Sequence, residues 1–409
     1  DLVALVDAAH RHGIRVLTDL VVNHVFADPS PPSGQAPQLA PFARLHQTDL
    51  AWFNVPYESG ANDCGAENLW DAPLSQTWNR ADCWFDPYLP DFNTTNPTVD
   101  DALAAHAVWL METFDLDGFR VDAVKQVTNK VCTDLRSKID DAISTKLPFY
   151  MVGEALGGVV DNVMDCVHPG MLDGSMDDPL HNTIVGTILQ GDGNAGYDLD
   201  NGVMADASTW TGVTPTALMG HFFGSHDTPR AISLAAGDDV GDPWNAPPPA
   251  QETNPTAVSR LRLAQAFLLT YDAIPVLWMG DEFGQPGAID PDCRRMMRFG
   301  AALGGDEQAT LVGFQKLGLA RKAHPALRRG SRTRLWVDGT FYAYGRVEGS
   351  DVVVVAFNFD QSPATRTMSV TNIGLTGTLT DVLSGSTVTA SGGSVTIDLP
   401  PLTAAVFAR

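Results

Sequence analysis

Short apolar runs ending in polar or charged residues alternate with helix-like stretches, and no other feature constrains this chain as strongly. DLVALVDAAHRHG places Leu2, Val3, Leu5, Val6 and Ala9 on one helical stripe, with Gly13 as its stop. IRVLTDLVV (14–22) follows as a buried strand. VDDALAAHAVWLMETF (99–114) reads as a helix before the strand DGFRVDAV (117–124), and the amphipathic stretch 126–145 precedes the strand FYMVGEA (149–155). ALMGHFFGSHD (217–227) and AIPVLWMG (273–280) are further apolar strands, with the helix TAVSRLRLAQAFLLTY (256–271) between them. Strands apolar on both faces, alternating with helices, indicate a parallel sheet covered by helices. Over 409 residues this predicts an α/β fold, a (β/α)8 TIM-type barrel whose site lies at the C-terminal ends of its strands.

Two segments break the rhythm. Residues 25–97 are rich in Pro, Asn, Asp and Trp with little periodicity, which predicts a loop-rich insertion, domain B. From about residue 330 the runs RLWVDGTFYAYGRV, SDVVVVAFNFD, TRTMSV, GTLTDVL and SVTIDL are short, alternating and separated by turn residues. They predict a C-terminal all-β sandwich over 330–409. The barrel is then left with 1–24 and 98–329.

Charge narrows the partner. The net charge of −23 argues against nucleic acid or an anionic membrane, both of which call for a basic surface, and suits a neutral substrate. No run approaches the roughly 18 apolar residues of a membrane span. Five cysteines, at 64, 83, 132, 166 and 293, lack metal-site spacing. One must stay unpaired within the chain. Cys64–Cys83 is the expected disulfide, because both lie in the loop-rich stretch, and it leans the compartment towards the extracellular side.

Chemistry is expected at four strand ends. DLVVNH (19–24) ends in Asn23 and His24, and GFRVDAVKQ (118–126) carries Arg120 and Asp122, which project from the same side of a strand. VGEA (152–155) presents Glu154, and FFGSHD (222–227) presents His226 and Asp227. Glycosidic cleavage needs one ionised carboxylate to attack the anomeric carbon and one protonated carboxyl to assist the leaving oxygen. Arg120 would keep Asp122 ionised, and the apolar strand before Glu154 would hold that group protonated. Taken singly, an Arg and Asp two apart are usually a structural ion pair, a lone Glu at a strand end a loop residue, and His-Asp a turn. Only their ordered occurrence at successive strand ends overturns these readings.

With these residues in place the chain resembles the α-amylase superfamily of glycoside hydrolases. DLVVNH, GFRVDAVK, the Glu of VGEA and the HD of FFGSHD resemble four of that family's blocks in order, and LPDFN (89–93) resembles a fifth. The resemblance implies a retaining hydrolase of α-1,4-glucans such as starch or maltodextrin. It makes Asp122 the nucleophile, Glu154 the acid/base and Asp227 the carboxylate that stabilises the transition state. Arg120, His24 and His226 would bind the sugar, while Asp19 is expected to be buried and structural. A transglycosylase or cyclodextrin-forming relative would use the same residues. A non-catalytic member usually loses a carboxylate, and all three are present.

The family also implies a structural calcium ion between barrel and domain B, held by Asn23, Asp91 and the backbone carbonyl of Gln126, oxygen ligands that suit calcium. Gln126 stands where members often have His. Trp52, Trp70, Trp78, Trp84 and Tyr88 could stack on sugars but are expected to be mostly domain B core. The Arg pair of CRRMMRF (293–299) is expected to be structural. Counted by the resemblance, DLVVNH closes the third barrel strand, so the chain is expected to supply strands three to eight. An N-terminal segment would complete the barrel.

Overall fold

The computed structural model describes residues 1–26, 50–54, 81, 84, 89–143, 148–155, 165–215, 218–238 and 247–409. The chain divides into two compact units, Asp1–Asp178 with Thr211–Met219, and Pro179–Trp210 with Gly220–Arg409. No helix among the described residues is long and apolar enough to cross a membrane.

In the first unit, helix α1 (Leu2–Arg11) leads into strand β1 (Leu17–Val21), and α2 (Pro97–Phe114) into β2 (Gly118–Asp122). α2 begins two residues before its apolar pattern does, because Asn96 accepts a hydrogen bond from the Thr98 amide and Pro97 occupies the first turn. It ends at Asp115, which takes the left-handed conformation. α3 (Asn129–Ala142) is followed by β3 (Tyr150–Gly153) and the short β4 (Gly174–Ser175). β1, β2, β3 and β4 form one parallel sheet in sequence order. Gly118 permits the β2–β3 approach, since a Cβ there would lie 2.1 Å from the Tyr150 carbonyl oxygen.

β1 is the edge of this sheet, which alters two expectations. Leu20 and Val22 are buried, but Leu17 and Val21 are exposed, so the strand is covered on one side only. The Asp19 side chain, expected to be buried, is 59% exposed. A disulfide joins Cys132 on α3 to Cys166 before β4. Cys64 and Cys83 lie outside the described residues, as do Trp70, Trp78 and Tyr88. Of the expected domain B, Trp84 and Phe53 are buried with Phe92, Val99 and Leu103, and Trp52 packs against them. Trp84 thus belongs to a core, and its indole donates to the Asn54 carbonyl at 3.2 Å.

In the second unit, α4 (Ala195–Trp210) precedes β5 (Gly220–His221), and α5 (Pro255–Thr270) precedes β6 (Ile274–Pro275). β5 and β6 pair in parallel. The strand expected over 273–280 is paired only at its start. Ala273 enters it with φ 86°, and from Trp278 the backbone turns, the Asp281 amide donating to the Trp278 carbonyl at 3.0 Å.

The C-terminal strands are β7 (Ser331–Val337), β8 (Phe341–Glu348), β9 (Asp351–Asn358), β10 (Ala364–Ser369), β11 (Gly377–Asp381), β12 (Thr387–Ala390), β13 (Ser394–Leu399) and β14 (Thr403–Ala408). Six form an antiparallel sheet in the order β12-β11-β14-β9-β8-β7, and β10 pairs with β13. Phe341, Ala343, Val354, Ala356 and Phe407 of the large sheet share a core with Met368, Val395 and Ile397 of the pair. The opposite face, through Tyr342, Tyr344, Val355 and Phe357, packs on Leu263 and Phe267 of α5. With both faces covered, β9 is an unbroken apolar run (VVVVAF) rather than an alternating one.

Candidate active site

Register sets the first group of side chains. Asp19 lies beside Arg120 across β1 and β2, and Val21 beside Asp122. Period two turns Arg120 and Asp122 to one face. The Arg120 guanidinium pairs through Nη1 with Asp122 Oδ1, lies 3.5 Å from Asp19 Oδ2, and reaches Glu154 Oε2 with Nη2 at 3.8 Å. Burial works against the Arg120 charge, but the carboxylates of Glu154, Asp122 and Asp19 outweigh it and raise its pKa. One cation therefore links three carboxylates presented by three adjacent strands.

Glu154 follows β3 directly. Its amide donates to the Val121 carbonyl at 2.8 Å, and its Oε2 accepts from the Ala123 amide at 3.0 Å. His24, whose Nδ1 lies 3.0 Å from Asn23 Oδ1, is near enough to Asp122 to feel its charge. Burial lowers its pKa and the charge of Asp122 only partly opposes that, so the ring is neutral at pH 7.

Asn23, Asp91 and Gln126, distant in sequence, also come together. Asn23 Nδ2 donates to Asp91 Oδ1 at 2.5 Å and to the Gln126 carbonyl at 2.8 Å. Asn54, which the sequence did not single out, donates to Asp91 Oδ2 at 2.5 Å. Asn23 and Asp91 are 2% and 1% exposed. The Asn23 amide oxygen, the Asp91 carboxylate and the Gln126 carbonyl make up a donor set that fits a hard cation.

In the second unit His226 and Asp227 are adjacent, with His226 Nε2 3.2 Å from Asp227 Oδ2. Arg294 Nη2 lies 3.2 Å from Asp227 Oδ1, so this member of the CRRMMRF pair contacts a candidate catalytic carboxylate. The buried Cys293 thiol donates to the His226 carbonyl at 2.9 Å, and the Trp278 indole donates to the Cys293 carbonyl at 3.1 Å. Sequence reading missed Cys293, Trp278 and the Ala123 amide. Each lies in a run the sequence singled out for other residues, and contacts between segments distant in sequence leave no local signal.

The comparisons with known proteins agree on the family. Residues 1–316 match the family described as "Alpha amylase, catalytic domain", and residues 332–408 match "Neopullulanase-like, C-terminal domain". Among curated proteins, the chain is 28% identical to a beta/alpha-amylase of Paenibacillus polymyxa, over 99% of this chain and 30% of that protein. It is 25% identical to a cyclomaltodextrinase of Geobacillus thermopakistaniensis (strain MAS1), over 98% of this chain and 60% of the relative. With a cyclomaltodextrin glucanotransferase of Geobacillus stearothermophilus it shares 29% identity, over 100% of this chain and 53% of that one. The chain thus spans less than two thirds of each. The solved α-amylase of Geobacillus thermoleovorans in complex with acarbose superposes with a TM-score of 0.79 at 23% identity, covering 100% of this chain and 80% of that one. That likeness supports the (β/α)8 architecture. From its catalytic-domain match and from its relatives, this chain belongs to the alpha-amylase family.

Proposed function

We propose that this protein cleaves α-1,4-glucosidic bonds of starch, maltodextrin or related α-glucans with retention, through a covalent glycosyl-enzyme intermediate. The observation that carries this reading is the Arg120 guanidinium, which grips Asp122 while reaching Glu154 on the neighbouring strand. It sets a nucleophile and a proton donor around one fixed cation. Asp122 attacks C1, Glu154 protonates the leaving oxygen and later deprotonates water, and Asp227 stabilises the oxocarbenium-like transition state. His24 and His226 hydrogen-bond the sugar, and Arg120 holds Asp122 in line. The relatives named for amylase and cyclomaltodextrinase activity, and the solved relative bound to acarbose, support an α-glucan substrate. A second reading, glycosyl transfer by the same residues, is supported by the relative named a cyclomaltodextrin glucanotransferase.

Calcium fits Asn23, Asp91 and the Gln126 carbonyl, where it would tie the 89–93 segment to the end of β1. The Cys132–Cys166 disulfide supports an extracellular working place, since thiols stay reduced in the cytosol.

The test is turnover of soluble starch, maltotriose, pullulan and a cyclomaltodextrin, with proton NMR of the first anomer released. Retention releases the α-anomer, and Glu154→Gln should abolish most turnover while substrate still binds. A β-anomer, or full activity in that variant, would refute the reading.

A further inference from the structure

Left-handed backbone costs a residue with a Cβ about 1 kcal/mol. Ala123 adopts it, with φ 51° and ψ 38°, immediately after Asp122 and in a buried position. At this turn, directly after β2, the Ala123 N–H donates to Glu154 Oε2 at 3.0 Å. The flanking backbone locks this placement. The Glu154 amide donates to the Val121 carbonyl at 2.8 Å, and the Val124 amide donates to the Glu154 carbonyl at 2.9 Å. Arg120 Nη2 approaches the same Oε2 at 3.8 Å. Two donors thus converge on one oxygen of the carboxyl group.

In a carboxylic acid the hydroxyl oxygen donates, and N–H donors are accepted at the carbonyl oxygen. We propose that the Ala123 amide is a positioning group that makes Oε2 the carbonyl oxygen of protonated Glu154 and so places the transferable proton on Oε1. The inference deepens the proposed function and rests on Glu154 being the acid/base. In the first half-reaction the Oε1–H bond breaks and its proton passes to the glycosidic oxygen. The bond from that oxygen to C1 breaks as Asp122 bonds to C1. In the second, Oε1 takes a proton from water while the water oxygen bonds to C1 and Asp122 leaves. Oε2 keeps its hydrogen bond to Ala123 in both. The methyl group of Ala123 has no part in this. The backbone N–H does, as the donor that Oε2 accepts.

Replacing Ala123 by its lactic acid analogue, an amide-to-ester exchange in the full-length protein, deletes the N–H and keeps the side chain. The quantity read is kcat/KM, which reports the first half-reaction, on maltohexaose and on α-maltosyl fluoride, whose leaving group departs without protonation. Maltohexaose should lose about thirtyfold and the fluoride under about threefold, a share of what general acid catalysis supplies. Ala123→Gly, which keeps the N–H and suits a positive φ, should change kcat/KM on the two substrates by the same factor. Equal losses on the two substrates in the ester variant, no loss on either, or a selective loss in Ala123→Gly would overturn the inference. Glu154→Gln separates the two levels. If it still cleaves maltohexaose, the proposed function falls and takes this inference with it. If it is inactive and the ester variant shows no selective loss, the inference alone falls.

Discussion

Arg120 on β2 and Glu154 just past β3 face each other across neighbouring parallel strands, Nη2 lying 3.8 Å from Oε2 while Nη1 holds Asp122. A planar guanidinium can serve two carboxylates at once, whereas an ammonium is a single point charge. Arg120→Lys should therefore keep the fold and lower kcat on maltohexaose by about a hundredfold. Arg120→Gln, which leaves partly buried carboxylates without a cation, should also cost on the order of 2 kcal/mol of stability, discounted from the fully buried case. Steady-state kinetics and thermal unfolding check both, and a Lys variant with parental kcat would contradict the first.

The Asn23, Asp91 and Gln126 cluster leads to an expectation about metal. If calcium sits there, excess chelator should lower the melting temperature, with a loss of about 3 kcal/mol when the ion was present at a hundred times its dissociation constant. Asp91→Ala should remove that sensitivity. An unchanged melting curve in chelator would count against calcium at this place.

Cys132 and Cys166 close a loop of 34 residues in sequence separation. Chain-entropy reasoning puts the stabilisation from such a loop at about 3–4 kcal/mol. The Cys132→Ser/Cys166→Ser double variant should melt lower than the parent, and reductant should lower the parent's melting temperature by more than the variant's. Equal melting of both proteins without reductant would show that the cross-link contributes nothing.

His181 makes a prediction about acid. Its ring is buried, stacked on Phe222 with centroids 4.4 Å apart, and burial pushes its pKa down from 6.5 to about 4. The unfolded chain then binds the proton more readily than the native one between those values. The stability from keeping this ring neutral is fully present above pH 6.5 and is lost as pH falls through about 4. The loss amounts to about 3 kcal/mol. His181→Phe keeps the stack and removes the proton site, so its stability should fall less steeply over that window. Parallel pH–stability curves for parent and variant would rule the effect out.

Much of this protein is written in its periodicities. Short apolar runs alternating with helices located β2 and β3, and the offset of two residues put Arg120 and Asp122 on one face of their strand. The order DLVVNH, GFRVDAVK, VGEA and FFGSHD was enough to indicate the family that the catalytic-domain match shows. These signals are local, set by backbone geometry that repeats every two or 3.6 residues. What they could not convey is which distant atoms meet. The disulfide between Cys132 and Cys166, the Asn54 amide on Asp91, the contact of Arg294 with Asp227 and the Ala123 N–H on Glu154 all join segments with no common period. β9 makes the same point for packing. Its VVVVAF run is uninterrupted because a helix covers one face and a second sheet the other, and neither neighbour is adjacent to it in sequence. The chain thus determined which residues line up along each strand. Only the tertiary structure decided which oxygen of Glu154 is held and by what, because that depends on the residue just past one strand meeting the residue just past the next.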